Sequence, residues 1–260
     1  MKKYPFCLNL FKVCIVACLL LLGFSCKPKH RYLSDVKVKY YQMAKADSLP
    51  PADTTLERLI AGYRVKLDAE MNEVVGKTAK ELLHFQPISP LGIWAAETIH
   101  RQTALVASQK IDITCFGHNG LRIKSLPNGN ITRGKLFELM PFDNFLVVMD
   151  ADSAAIQQLL NLAAFKGGWP IAGATYEIQN QKAQQIIIQG EPLQSGKIYK
   201  LATSDYVANG GDNAFFLKTV KRKELTKLMR DAFIEGVIST TKAGQLLDAA
   251  TDERVKILKN

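Results

Sequence analysis

The sequence predicts a mixed α/β (α+β) domain, a single mixed sheet with helices packed on it, behind an export signal and a tether. Apolar residues recur at helical spacing in five segments between residues 54 and 239, and short alternating or β-branched runs separate them. Turn residues punctuate the junctions, and no repeat or low-complexity stretch interrupts the order. With 260 residues, 47% apolar and 22% charged, the chain is long enough to bury an ample core.

Leu56, Leu59, Ile60, Tyr63, Leu67, Met71 and Val74 predict a first helix, with Thr54 or Thr55 as N-cap and Gly76 as its stop. A second helix is expected from Ser89 to about Val106, with Pro90 in its first turn, where a missing N–H does least harm. Ile111 to Phe116 alternates as a strand and runs into Gly117-His118-Asn119-Gly120, a loop suited to exposing backbone N–H groups. A short helix over Arg133 to Met140 and a strand over Phe145 to Met149 follow. Ser153 to Phe165 reads as a helix capped by Asp152 or Ser153 and closed by Gly167-Gly168. Strands are expected at Tyr176 to Gln179, Gln185 to Gln189 and Tyr199 to Thr203, and a last helix from Arg222 to Ser239.

The N-terminus reads as an address. Met1-Lys2-Lys3 precedes the apolar stretch Val13 to Gly23, which is too short to span a bilayer of about 30 Å, for which roughly 20 residues are needed. Gly23-Phe24-Ser25-Cys26 then resembles a lipobox, so residues 1–25 are expected to be a signal peptide and Cys26 the lipidated N-terminus. An ordinary signal peptide or an uncleaved anchor is the alternative. Residues 26–53 are polar, end in Ser48-Leu49-Pro50-Pro51, and are read as a lipidated tether, which leaves 54–260 as the folded domain. Of five cysteines only Cys26 and Cys115 survive cleavage, so a lipidated Cys26 leaves no disulfide. Lys27-Pro28-Lys29 carries no acidic residue after the cysteine, and the protein is expected to be exported, membrane-anchored and facing the periplasm.

The formal charge of +10 falls to +7 without the signal, with 31 basic against 24 acidic residues. The only dense basic runs, Lys27 to Arg31 and Lys221 to Lys223, are read as solvated faces, so nucleic acid is not an expected partner.

Few residues carry chemistry. A di-metal phosphoesterase needs clustered His, Asp and Asn ligands, whereas His30, His84, His100 and His118 sit in no such setting, and Gly211-Asp212-Asn213 has no accompanying ligands. Gly190 to Lys197 fails the P-loop spacing, there is no Gly-x-Ser-x-Gly elbow, and Cys115 in an apolar strand reads as a core thiol. No catalytic residue, metal ligand or cofactor is therefore expected in this chain. What remains is Asn119-Gly120-Leu121-Arg122, Pro141-Phe142-Asp143-Asn144 and Tyr206-Val207-Ala208-Asn209-Gly210-Gly211-Asp212. Taken singly, each fits a core or turn segment as well as a site.

Taken in order, the three resemble the C-terminal domain of the 5′-nucleotidase and UDP-sugar hydrolase family, in which a metallophosphatase domain comes first. In that family an Asn-x-Gly-Gly-Ile-Arg loop, a Leu-Pro-Phe-Gly-Asn step and a Tyr/Phe-x-x-x-Gly-Gly-Asp loop form the nucleotide site. The resemblance covers about residues 54 to 256 and implies the mixed α/β fold of that domain. It implies Phe142 and Tyr206 as rings around a nucleobase, Asp212 on the ribose hydroxyls, Arg122 near sugar or phosphate, and Asn144 at the base edge. Asn119, Gly210 and Gly211 complete the implied substrate-binding set. Stacking on such rings contributes about 1–3 kcal/mol per base, and a carboxylate accepts from the ribose hydroxyl pair.

This chain departs from the pattern at Gly117, where the family has Asn, at Asn119, where it has Gly, and at Gln86-Pro87-Ile88, where an arginine is usual. A lost cation weakens anion binding. The resemblance implies a nucleotide- or nucleoside-recognition domain acting with a separately encoded metallophosphatase, which would hold the divalent metal, in periplasmic nucleotide hydrolysis and salvage. The alternatives are a non-catalytic binding or scaffolding lipoprotein, and, last, a self-sufficient hydrolase.

Overall fold

The computed structural model describes residues 54–258. The expected signal over 1–25, Cys26 and the expected tether over 26–53 lie outside the described residues.

The described chain begins with helix α1 (Thr54–Met71), none of whose residues is buried, then β1 (Val74–Thr78), β2 (Leu82–Leu83) and α2 (Pro90–Ala107). Ser89 caps α2 by accepting from the Gly92 N–H, and Ser108 closes it in the left-handed conformation. Next come β3 (Ile113–Cys115), β4 (Ser125–Leu126), β5 (Gly129–Thr132), α3 (Arg133–Leu139) and β6 (Phe145–Asp152). Asp152 ends β6 and caps α4 (Ser153–Phe165) with one carboxylate oxygen on the Ala155 N–H. Strands β7 (Ile171–Ala172), β8 (Ala174–Gln179), β9 (Lys182–Ile188), β10 (Glu191–Pro192) and β11 (Ile198–Ser204) lead to the short helix α5 (Asp205–Ala208). Strand β12 (Arg222–Leu228), helix α6 (Met229–Lys242) and strand β13 (Val255–Ile257) finish the chain.

The mixed α/β class is as expected, but in place of a single mixed sheet the strands among the described residues are shared among four sheets. A central five-stranded sheet runs β12-β6-β11-β3-β7, in which β11 and β3 are parallel and the other pairs antiparallel. A four-stranded sheet, β10-β9-β8-β13, and the pairs β1-β5 and β2-β4 complete the set. The central sheet is buried on both faces. Val147, Met149, Ala151, Tyr199 and Leu201 join the core containing α4 and the four-stranded sheet, while Leu146, Val148 and Ala202 join the core containing α2 and α6. Alternation along β6 therefore sends successive apolar residues into different cores, and the strand reads as a continuous apolar run.

Two expected elements differ. Arg222–Leu228 is an edge strand and the last helix begins at Met229, because Leu225 and Leu228 suit either period and the non-local ladder with β6 decides between them. The first helix stops at Met71, and Val74 belongs to β1, paired antiparallel with β5. Gly76 is no helix stop. It lets α6 close onto β1, since a β-carbon there would overlap Val237 Cγ1 and lie 2.6 Å from Thr241 Oγ1.

Candidate nucleoside site at one end of the central sheet

The topology brings three loops to one edge. Strands β3 and β11 are parallel, so the segments leaving them, 116–122 and 205–213, emerge at the same end; β6 is antiparallel to β11, with Leu146 opposite Ser204, so the segment entering it, 140–144, arrives there too. Loops beyond the carboxyl ends of parallel strands are a common place for ligands in α/β sheets.

Each loop is shaped by its own residues. After β3 a turn of 3₁₀ helix over His118–Gly120 is closed by Gly120 N–H on Gly117 O (2.9 Å) and Leu121 N–H on His118 O (3.2 Å). Leu121 is buried, which leaves Arg122 beside it at the surface, its N–H on Leu139 O at 2.9 Å. In the second loop Met140 is buried and Phe142 is 39% exposed. After β11, Ser204 caps α5 by accepting from Val207 N–H, and Gly210 and Asp212 both take left-handed backbone, with φ of 91° and 53°. Glycine and aspartate are among the residues that tolerate this conformation.

Gly211 lies flat against the Tyr206 ring. A β-carbon there would be 2.5–2.6 Å from three ring atoms, and the next N–H, of Asp212, donates to the Tyr206 hydroxyl at 3.3 Å. The ring is thus backed by a bare peptide, while the residue stays 50% exposed.

These loops enclose a cavity of about 230 Å³ lined by Asn119, Arg122, Phe142, Asn144, Tyr206 and Asp212, together with Phe116, Gly117, Gly120, Met140, Ser204, Val207 and Met229. Of the eight residues expected in a substrate site, six line it. Gly210 and Gly211 do not, and act on it through the backbone and the Tyr206 ring. The Arg122 guanidinium sits 5.6 Å from the Phe142 ring centroid. Among the described residues, the side-chain polar atoms of Asn119, Arg122, Asn144 and Asp212 have no hydrogen-bond or ion-pair partner in the protein. Such capacity at the rim of a partly apolar cavity is what a polar ligand requires. A larger, shallower groove of about 780 Å³ lies along β8, β9 and β13; there Arg254 is already engaged by Asp252, Glu97 and the Ile171 carbonyl.

Gln86, in the stretch where the resemblance implies an arginine, has a structural duty here. The Gln86 amide donates to the carbonyls of Lys166 (2.6 Å) and Gly168 (2.9 Å), fastening that stretch to the end of α4 rather than facing the cavity. Next to the site loop, the His84 and His118 rings stack at 4.0 Å. Burial, then the neighbouring His118, push His84 down to about 4; burial also lowers His118. Cys115 is free and buried, and burial raises its thiol far above the range of a nucleophile at neutral pH. Among the described residues no group of three or more His, Cys, Asp or Glu side chains is placed to hold a metal ion.

Sequence reading passed over Met229 and the residues that hold the loops. Asn144 O accepts from Met229 N–H at 2.8 Å, and Met229 opens a helix 85 positions downstream, so no local motif signals it.

The sequence profile of the family described as "5′-nucleotidase, C-terminal domain" matches residues 74–221, more than half of the chain. The NAD 5′-nucleotidase of Haemophilus influenzae is 26% identical over 222 residues, which is 74% of this chain and 35% of that protein. Among solved structures, a 5′-nucleotidase precursor from Thermus thermophilus superposes with a TM-score of 0.67 at 22% identity, covering 81% of this chain and 44% of that one. The Haemophilus influenzae NAD nucleotidase gives 0.59 at 21% identity, covering 81% and 42%. The chain thus spans less than half the length of these relatives, and within that span it belongs to the 5′-nucleotidase C-terminal domain family.

Proposed function

We propose that this protein binds the nucleoside part of a nucleotide in the cavity between Phe142 and Tyr206, and presents it to a separately encoded metallophosphatase in nucleotide hydrolysis and salvage. The observation that carries this reading is the convergence of two part-exposed rings with four polar side chains that have no hydrogen-bond or ion-pair partner among the described residues, on loops inside the family-matched region. A cavity of about 230 Å³ suits one flat base with its sugar at the rim. The rings would supply stacking, Asn144 the base edge, Asp212 the ribose hydroxyls, and Arg122 an anionic or sugar oxygen, with Asn119 beside it. Hydrolysis itself, with its divalent metal, would be the partner's. We further place the chain outside the inner membrane, tethered through lipid on Cys26 and facing the periplasm.

The test is co-expression with a secreted metallophosphatase lacking this domain, followed by phosphate release from AMP, with each chain alone as control. Turnover by the pair and not by either chain supports the reading. Turnover by the metallophosphatase that this chain leaves unchanged would instead favour a binding or scaffolding lipoprotein.

A further inference from the structure

The two ring-bearing loops are gripped from one direction. Strand β12 and the start of α6 form a short strap, and an arginine near each of its ends reaches one loop. At the first end, Arg222 Nη1 donates to Ala208 O (2.9 Å) and Nη2 to Asn209 Oδ1 (2.7 Å), which fixes the end of α5 just beyond Tyr206. At the other, Arg230 Nη1 donates to the carbonyls of Met140 and Phe142 (both 3.4 Å), and Nη2 to Asp143 Oδ1 (2.7 Å). The Arg230 side chain is only 10% exposed, and its guanidinium lies 4.2 Å from the Phe137 ring centroid.

Neither ring is enclosed: Phe142 is 39% and Tyr206 50% exposed, and the Tyr206 ring rests on the main chain of its own loop at Gly211. Ring placement therefore depends on the main chain beneath them. Arg230 is also poorly placed for its own helix, because a cation in the first turn opposes the macrodipole. What offsets that cost is the loop: two carbonyls and a carboxylate that accept from a buried fork. A planar guanidinium can serve acceptors in several directions at once; a lysine ammonium cannot reproduce that geometry.

We propose that Arg222 and Arg230 are positioning residues that set the separation of the Tyr206 and Phe142 rings, with Asn209 and Asp143 as their clasps. Both arginines lie just beyond the family-matched residues 74–221. The proposal rests on the reading of the cavity as a nucleoside site.

The experiment uses the full-length chain carrying 4-fluorophenylalanine at 142 or 3-fluorotyrosine at 206, observed by fluorine NMR, with adenosine affinity by calorimetry and thermal stability measured in parallel. Arg230→Lys is expected to shift or broaden the signal at 142 and leave that at 206; Arg222→Lys is expected to do the reverse. Each should weaken adenosine by about three- to tenfold. Should either arginine variant fail to fold, Asp143→Ala and Asn209→Ala, at exposed positions, test the same two contacts. Unchanged signals in folded variants would overturn the proposal even if adenosine binds. Joint movement of both signals with a loss of thermal stability would overturn it too, by showing a general structural role. Paired, loop-specific shifts in a protein that binds no adenosine would keep the strap and remove the nucleoside reading.

Discussion

The Asp212 carboxylate occupies the space into which a β-carbon on Gly117 would project. The two residues lie in loops that follow different strands of the central sheet, β3 and β11, so the bare α-carbon of Gly117 is what admits the reach of Asp212. Gly117 has φ −58° and ψ 134°, which any residue adopts, so its glycine is required by space and not by backbone. Gly117→Ala should therefore fold but push the carboxylate aside. Calorimetry is expected to show adenosine weakened by about tenfold while adenine is unchanged, with Asp212→Asn giving the same pattern. Equal losses for adenosine and adenine would show that Asp212 does not read the ribose.

Removal of either ring should cost base stacking more than stability. Phe142→Ala and Tyr206→Ala are each expected to lose about 1–3 kcal/mol of adenosine binding, about fivefold to over a hundredfold in Kd. Both residues are substantially exposed, so the melting temperature should move little. A large drop in melting temperature with no ligand-specific effect would make them packing residues.

Acid should destabilise the fold through His84. Its folded value lies near 4, against 6.5 for the free side chain, so the unfolded chain takes up this proton first. Stability is then retained above about pH 6.5 and lost as the pH falls towards about 4. His84→Phe keeps a ring against His118 and removes the titration. Thermal melts at pH 7 and pH 5 should differ less for this variant than for the native protein, and equal differences would assign the acid sensitivity elsewhere.

Replacement of Cys26 by Ser should release the protein from membranes or leave its signal uncut, since acylation there is the anchor we propose. Membrane and soluble fractions from cells expressing the variant decide this. Membrane retention of a correctly processed Cys26→Ser chain would rule out lipid on residue 26 as the anchor.

Much of the fold and of the cavity was legible because the decisive signals are local. Pro90 marks the first turn of α2 and Asp152 caps α4 within three residues, and the loops carrying Arg122, Phe142 and Tyr206 announce themselves through Gly, Pro and Asn at fixed spacing, whereas the Ser204 cap of α5 went unread. What escaped depends on partners distant in sequence. Arg222 to Leu228 becomes a strand only because β6 lies beside it, and Arg230 gains its role from Met140, Phe142 and Asp143, some 90 residues earlier. Gly117 shows the same limit. In the sequence it is only a departure from the motif it resembles, and the folded protein shows the Asp212 carboxylate in the space beside it.

The central sheet has a second end, and its freedom follows from the gathering of all three loops at the first. Strand β11 enters from the turn that holds Gly196, around which a β-carbon would meet nothing within 4 Å, and reaches the cavity only after seven residues, about 23 Å away at the usual rise per residue. That turn, at residues other than Gly196 itself, whose φ of 77° disfavours a side chain, is a natural attachment point for a fluorophore, an affinity tag or an inserted reporter peptide. A chain extended there should bind adenosine as the native protein does, which makes this end the place from which to immobilise the molecule without disturbing the rings.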